Sequence, residues 1–174
     1  MAVHQIERLD EYVRYFQQTP ADVGALFRDL LIGVTSFFRD PEAFGALQAQ
    51  VIPRLFAGKS AGAPVRVWVP GCSTGEEAYS RAILLQEHLD LLQQSFLLQV
   101  FATDIDSRAI ECARTAIYPA TIADDISPER LARFFSREPD GNAYRVVKQI
   151  RDRVIFSEQD VIKDPPFSRI DLIS

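Results

Sequence analysis

The chain has 174 residues, 25% of them charged and 47% hydrophobic, with a formal net charge of −5. That length suits one domain, or one domain with a small appendage, and it buries roughly 68–70% of the surface the unfolded chain exposes, so a core needs neither disulfide nor metal. The acidic balance argues against a nucleic-acid partner, the hydrophobic fraction argues against disorder, and Cys72 and Cys112 alone are too few for a disulfide framework or a zinc site.

The opening Met1-Ala-Val-His-Gln-Ile-Glu-Arg8 lacks the basic and then apolar layout of a signal peptide. Ile6, Leu9, Val13 and Phe16 share one helical face, and Val23, Leu26, Phe27, Leu30 and Leu31 form a second stripe. Thr19-Pro20 reads as a cap with proline at the first helical position, and Gly33 as a stop. Asp40-Pro41 repeats the signal and predicts a helix through about Gln50. Beyond a loop from Gly58 to Pro64 the period changes. Val65 to Val69 alternates as a strand, a long helix is predicted from about Gly75 to Gln93, and Leu97 to Thr103 reads as a second strand. Asp106 caps a predicted helix over Ser107 to Ala116, and Ser127-Pro128 starts another. Tyr144 to Ile150 reads as a strand or hairpin arm after a Gly141-Asn142 turn; Val154 to Ser157 and Ile170 to Ile173 read as short strands. Strands alternating with helices predict a parallel sheet covered on both faces. The most apolar stretch, Ala82 to Ala102, is interrupted by Glu87, His88 and Asp90, so it does not form one membrane span. A soluble protein of the reducing cytoplasm is expected.

The most informative segment is Trp68-Val-Pro-Gly-Cys-Ser-Thr-Gly-Glu-Glu-Ala-Tyr79, a strand, a glycine turn and a helix. Gly71 and Gly75 let a ligand approach the backbone at the carboxyl end of the strand. The spacing is not the Gly-x-Gly-x-x-Gly dinucleotide fingerprint. Ser73 to Glu76 matches a capping box, which gives Glu76 a structural task and leaves Glu77 to face the crevice. Two acids in a first helical turn repel phosphate and favour an ammonium or sulfonium ligand. Asp104 ends the second strand, where an acid either holds both ribose hydroxyls or adds a second cap. It lies 33 positions after Gly71, further than the roughly 20 of dinucleotide folds. Asp160, after the strand at 154–157, reads equally as an acceptor for an adenine amino group or as a solvated loop acid. His4 and His88 are isolated and read as surface residues, Asp124 and Asp125 as loop acids, and Cys72 as a small turn residue without a histidine partner.

Together, Gly33-Val-Thr-Ser-Phe-Phe-Arg-Asp40, Gly71-Cys-Ser-Thr-Gly-Glu-Glu-Ala-Tyr-Ser80, Phe101-Ala-Thr-Asp-Ile-Asp106 and Ile170-Asp-Leu-Ile-Ser174 resemble the chemotaxis receptor (protein-glutamate) methyltransferase family. Members move a methyl group from S-adenosylmethionine to glutamate side chains, and the wording here is most similar to the version in larger hybrid signalling proteins. The resemblance implies an α/β fold of the class I methyltransferase (Rossmann-like) type with a parallel sheet, preceded by a small all-α domain. It implies a helical domain over 1–40, a linker helix and loop over 41–63, and an incomplete cofactor-binding α/β domain over 64–174. Carried over, Thr35 and Arg39 touch the cofactor from the linker, with Arg39 on the methionine carboxylate side. Gly71 opens the turn, Glu77 faces the methionine amine, Asp104 the ribose, and Asp160 with the Val161 backbone the adenine. The family's methyl-pocket segment follows the position of Ser174, so the resemblance leaves the catalytic residues unknown, Arg39 being one candidate, and implies an inactive 174-residue chain.

The expected function is therefore S-adenosylmethionine-dependent protein-glutamate O-methylation in chemotaxis-type signalling, by the cofactor-binding portion of the enzyme. The expected partner is a protein with glutamate side chains, a chemoreceptor among the candidates. Relatives that dock on chemoreceptors carry a basic N-terminal helix, whereas residues 1–40 here hold four arginines against six acids. Self-association is expected through a strand edge near residues 168–174. Two alternatives stand beside this reading: a non-catalytic signalling module of the same fold, and a nicotinamide-dependent oxidoreductase. Glu76-Glu77 beside the phosphate position disfavours the second.

Overall fold

The computed structural model describes residues 8–19, 22–23 and 33–174. The chain divides into two compact units, residues 1–32 and 33–174. In the first, helix α1 spans Leu9–Gln18. Leu9 and Val13, on its predicted apolar face, are exposed; Ile6 and the stripe from Leu26 to Leu31 lie outside the described residues. The Thr19 carbonyl accepts from the backbone N–H groups of Asp22 and Val23, the hydrogen-bond pattern of a helix starting there.

The second unit opens with a loop and then a helical segment. Asp40 caps helix α2, Pro41–Ala46, by accepting from the Ala43 N–H at 3.2 Å. The segment runs on through a π-helical stretch, Leu47–Val51, into α3, Ile52–Phe56, past the predicted end at Gln50. Pro53 accounts for the wide turn: it has no N–H to give to the preceding turn, so the hydrogen-bond ladder shifts there.

The main sheet is parallel. Strands β1 (Pro64–Pro70) and β2 (Leu97–Asp104) form its centre, with β6 (Val154–Glu158) beyond β2 and β7 (Leu172–Ile173) beyond β1. The spatial order is thus β6-β2-β1-β7, with Trp68 beside Phe101 and Asp104 beside Glu158. Val65, Val67 and Val69 are fully buried, and with Leu98, Val100 and Ala102 they share the core with helix α4, Glu76–Leu92. That helix buries Ala78, Tyr79, Ile83, Leu84 and Leu85 and also packs on α3, so apolar residues surround it rather than forming one stripe. On the opposite face, Trp68 and Phe101 are covered by the ring of Phe167, stacked on Phe101 at 4.7 Å. Among the described residues a loop aromatic thus covers those rings, where the sequence led us to expect a helix.

Helix α5 (Ser107–Thr115) follows β2 and is capped by Asp106, which accepts from the Arg108 N–H at 2.9 Å. Between α5 and β6 lies a small antiparallel sheet that the sequence reading did not foresee as a sheet. Its strands are β3 (Ile117–Pro119), β4 (Phe135–Arg137) and β5 (Ala143–Val146), in the order β3-β5-β4. Helix α6, Pro128–Phe134, capped by Ser127, leads into β4. The predicted strand at Tyr144–Ile150 ends at Val146 and becomes a helical turn, α7, over Lys148–Arg151. Ile150 is thereby turned into the core.

Candidate functional site

Three parallel strands deliver their carboxyl ends to one side of the sheet, where open α/β sheets bind ligands. The glycine turn follows β1, Asp104 ends β2, and Asp160 stands two residues beyond β6. Hydrogen bonds tie these ends together. Cys72 N–H donates to the Thr103 carbonyl at 2.9 Å, and Gln159 N–H donates to the Asp104 carbonyl at 2.9 Å.

The two glycines of the turn do different work. Gly71 has φ +67 and is exposed, and a side chain there would meet nothing within 4 Å. Backbone and open space meet at this point, which is what a ligand approaching the main chain needs. Gly75, with φ +95, is buried; a Cβ would lie 2.9 Å from Ala113 Cβ and 3.1 Å from the Phe156 ring. Its missing side chain makes room for α5 and β6 rather than for a ligand, correcting the equal roles expected of the pair. The predicted capping box is also absent. Gly75 is the cap of α4, so Glu76 occupies the first helical position and accepts from the Thr74 hydroxyl at 2.7 Å.

Asp104 is half-buried, and each of its oxygens serves a different backbone segment. Oδ2 accepts from the Ser73 N–H at 2.7 Å and Oδ1 from the Asp106 N–H at 2.9 Å. The carboxylate therefore braces both the glycine turn and its own strand end. A carboxylate offers about four lone-pair sites, so acceptor capacity remains for two hydroxyls. Glu77 is less free than expected: its Oε1 pairs with Arg81 at 2.8 Å and accepts from the Ser174 hydroxyl at 2.8 Å. Asp160 organises its own loop, accepting from the Ile162 N–H at 3.0 Å and pairing with Lys163 at 3.0 Å. The hydrogen bond from Lys163 is the largest of the influences that hold its carboxyl below the usual range. Val161 beside it is exposed.

Thr35 and Arg39 lie on the loop between Gly33 and α2, which adjoins the glycine turn at one point and the start of α4 at another. Ser73 hydroxyl donates to the Gly33 carbonyl at 3.3 Å, and Phe38 N–H donates to Ser80 Oγ at 3.1 Å. Arg39 is exposed and donates to the Val34 carbonyl at 2.6 Å, folding the loop on itself.

The turn sits in a negative field. Burial pushes the Cys72 thiol up to about 12, and the carboxylates of Asp104, Glu77 and Glu76 add to the rise. A buried thiol held protonated is no nucleophile at neutral pH. The same converging carboxylates suit a cationic ligand. An exposed glycine, spare lone pairs on Asp104 and the apolar Val161 fit a nucleoside that carries a positive charge.

Comparison with known proteins agrees with that fit. Residues 33–174 match the family model described as CheR methyltransferase, SAM binding domain. The chain belongs to this family. It is 37% identical over 174 residues to the uncharacterized 104.1 kDa protein in the hypE 3'region of Rhodobacter capsulatus, covering all of this chain and 18% of that protein. It is 32% identical over 162 residues to the chemotaxis protein methyltransferase of Salmonella typhimurium, covering 89% of this chain and 53% of that protein. To chemotaxis protein methyltransferase 2 of Pseudomonas aeruginosa it is 30% identical over 155 residues, 88% of this chain and 53% of that protein. The chain spans about half the length of these two chemotaxis relatives and less than a fifth of the first. The match assigns S-adenosylmethionine as the cofactor of the domain.

Within this CheR domain the structure shows supporting residues that sequence reasoning missed. Ser80 is fully buried; its hydroxyl accepts from Phe38 N–H and donates to the Glu76 carbonyl at 2.7 Å. Tyr118 donates from its hydroxyl to the Thr74 carbonyl at 2.8 Å. Ser80 closes the Gly71–Ser80 motif, but its partner Phe38 lies 42 positions away, and a lone tyrosine after a helix carries no motif, so no local signal gives either role. His88, expected at the surface, is half-buried against Phe56, and burial lowers its pKa. Among the described residues no group of three or more His, Cys, Asp or Glu side chains is arranged to hold a metal, and no helix is long and apolar enough to cross a membrane.

Proposed function

We propose that this chain is the cofactor-binding portion of a protein-glutamate O-methyltransferase that works in chemotaxis-type signalling in the cytoplasm. The observation that carries the reading is Asp104 tied to an exposed glycine turn at the strand ends, with Glu77 in the first turn of the next helix and Asp160 just after β6, within a CheR cofactor domain. Asp104 would hold the ribose hydroxyls, using the lone pairs left by Ser73 and Asp106. Glu77 would take the methionine amine in place of the Ser174 hydroxyl. Asp160 and the Val161 backbone would bound the adenine, with Thr35 and Arg39 closing the pocket from the linker and Arg39 meeting the methionine carboxylate. When bound, S-adenosylmethionine supplies an electrophilic methyl on a sulfonium sulfur, open to in-line attack by a substrate carboxylate. A glutamate is already ionised near neutral pH, so the protein has no proton to remove, and its contribution is positioning. Names of relatives such as chemotaxis protein methyltransferase support a chemoreceptor-like protein substrate.

Calorimetry with S-adenosylhomocysteine tests the reading, with NADH as the competing ligand. Binding of the first and not the second is expected; the reverse overturns it. Glu77→Gln should weaken ligands that carry the methionine amine and spare adenosine. Equal loss of both ligands would contradict the role given to Glu77.

A second reading concerns self-association. Among the described residues β7 pairs only with β1, and Ile173 is exposed. Beside it lies an apolar groove of about 360 Å³ lined by Phe44, Leu47, Val51 and Leu172. A free strand edge beside an apolar groove favours pairing with a second copy of the 174-residue chain. A strict monomer by light scattering at high concentration would overturn this.

A further inference from the structure

The antiparallel insert, residues 117–147, has no place in the cofactor reading so far, yet it grips both loops that frame the pocket. Its first strand sends Tyr118 inward, 3% exposed, where the hydroxyl donates to the Thr74 carbonyl in the glycine turn at 2.8 Å. The ring stands edge-on to Phe37 at 4.9 Å and to Tyr79 at 6.2 Å. Phe37 is held from its other side by Phe135 of β4 at 5.2 Å. The neighbouring Phe38 lies under the Arg130 guanidinium of α6, 4.6 Å from its ring centre. Phe37 and Phe38 immediately precede Arg39.

Phe38 needs that grip. Its φ is +50, a left-handed conformation that costs a bulky residue free energy and persists only where surrounding contacts over-determine it. Ser73, with φ +48, is held by Asp104 and the Gly33 carbonyl, and Tyr118 grips the Thr74 carbonyl next to it. Two strained loops, one bearing Thr35 and Arg39 and the other bearing Gly71 and leading into Glu77 of α4, thus meet at Tyr118.

We propose that the insert presets the cofactor pocket before ligand arrives, and that Tyr118 is its positioning residue, joining the glycine turn to the Phe37-Phe38-Arg39 loop. This rests on the function proposed above and adds a residue to it. Tyr118 touches no ligand; it acts through the Thr74 carbonyl and the Phe37 ring. Both framed loops serve the amino-acid half of the cofactor, so the effect should fall on that half. Without the hydroxyl, the turn loses one of its anchors and must be ordered at the moment of binding, at a cost in affinity.

The test is Tyr118→Phe, which keeps the ring and removes one hydrogen bond. The 174-residue chain should bind S-adenosylhomocysteine about 3- to 10-fold more weakly, the size of a typical hydrogen bond, with adenosine affinity within about twofold of the unaltered chain. Exchange at the Gly75 amide, which bonds to the Cys72 carbonyl at 2.9 Å, should quicken without ligand. Ile150→Val, which shaves a fully buried side chain on α7, gives a matched loss of stability and should leave the ratio of the two affinities alone. An unchanged ratio in Tyr118→Phe, or the same change in Ile150→Val, overturns the proposal. Should the unaltered chain bind neither ligand, the proposed function fails instead. Gly75 exchange still decides the point about Tyr118 in that case: unchanged exchange overturns it, and faster exchange supports the brace.

Discussion

At the scale of single residues, Asp104 and Asp106 show how two acids two positions apart divide their work. Asp106 caps α5 through the Arg108 N–H; removing such a cap costs about 1 kcal/mol. Asp104 braces two backbone segments and keeps lone pairs toward the crevice. Asp104→Ala should therefore lower both melting temperature and affinity, the latter by roughly 10- to 150-fold if a charge-assisted bond of about 1.5–3 kcal/mol is lost. Asp106→Ala should lower the melting temperature and leave affinity nearly intact. Calorimetry and melting on both variants check this, and loss of ligand from Asp106→Ala alone would refute it. The cysteines divide in a similar way. Cys72 is buried with its thiol pushed up to about 12, whereas Cys112 is exposed. Below that value Cys72 stays protonated, so a thiol reagent at pH 8 should modify Cys112 alone in the native chain and both after denaturation. Equal labelling rates in the native chain would show that the turn opens.

At the scale of elements, legibility followed the range of the interaction that makes each one. The caps Asp40, Asp106 and Ser127 were readable because a cap is chemistry between residues two or three apart. The alternation of Val65, Val67 and Val69 was readable because one buried face repeats every second residue. Strand β3 was not, since Ile117–Pro119 is three residues long and shows no period. The roles of Gly75 and Glu76 were hidden because the packing of Ala113 and Phe156 against the turn decides them, from about 40 and 80 positions away. Asp104 ends a strand and Asp160 follows one, as their positions in the sequence implied. The partners of the site acids differ in range: Arg81 and Lys163 stand four and three residues from Glu77 and Asp160, whereas Ser73 reaches Asp104 from 31 positions away, which no local spacing shows. Helix ends offer a direct test of local strain. Gln93 closes α4 with φ +51 and is exposed. A left-handed residue with a Cβ costs roughly 1–2 kcal/mol, so Gln93→Gly should raise the melting temperature by about 2–4 °C per kcal/mol recovered. Ala116 is also left-handed, at φ +55, but fully buried. There the relief is offset by the vacated methyl, which costs on the order of 1 kcal/mol, so no gain should appear. A thermal melt of both variants separates the two cases.

At the scale of the whole molecule, the insert and helix α4 are joined by charge as well as by aromatic packing. Arg130 donates from Nε and Nη2 to the two oxygens of Glu87, both at 2.9 Å, while lying over Phe38. Arg133 pairs one turn further on with Asp90. The Arg130 and Glu87 side chains are 24% and 18% exposed, so water screens the pair only in part, and its fork geometry is bidentate. Lys148–Asp152, by contrast, is largely exposed and should contribute little. Breaking a half-buried pair from one side leaves a charge without its partner, which costs more than deleting both sides together. Glu87→Gln and Arg130→Gln should each destabilise the chain, and the double variant should lose less than their sum by about 0.5–3 kcal/mol, the range for residues in direct contact. Urea unfolding of the four proteins gives that coupling. If the insert also presets the pocket through Phe38, the single variants should weaken S-adenosylhomocysteine binding in the same order as they weaken stability. Additive losses would mean that Arg130 holds the insert through its ring contact alone, and Phe38→Leu would then have to reproduce the Arg130→Gln loss.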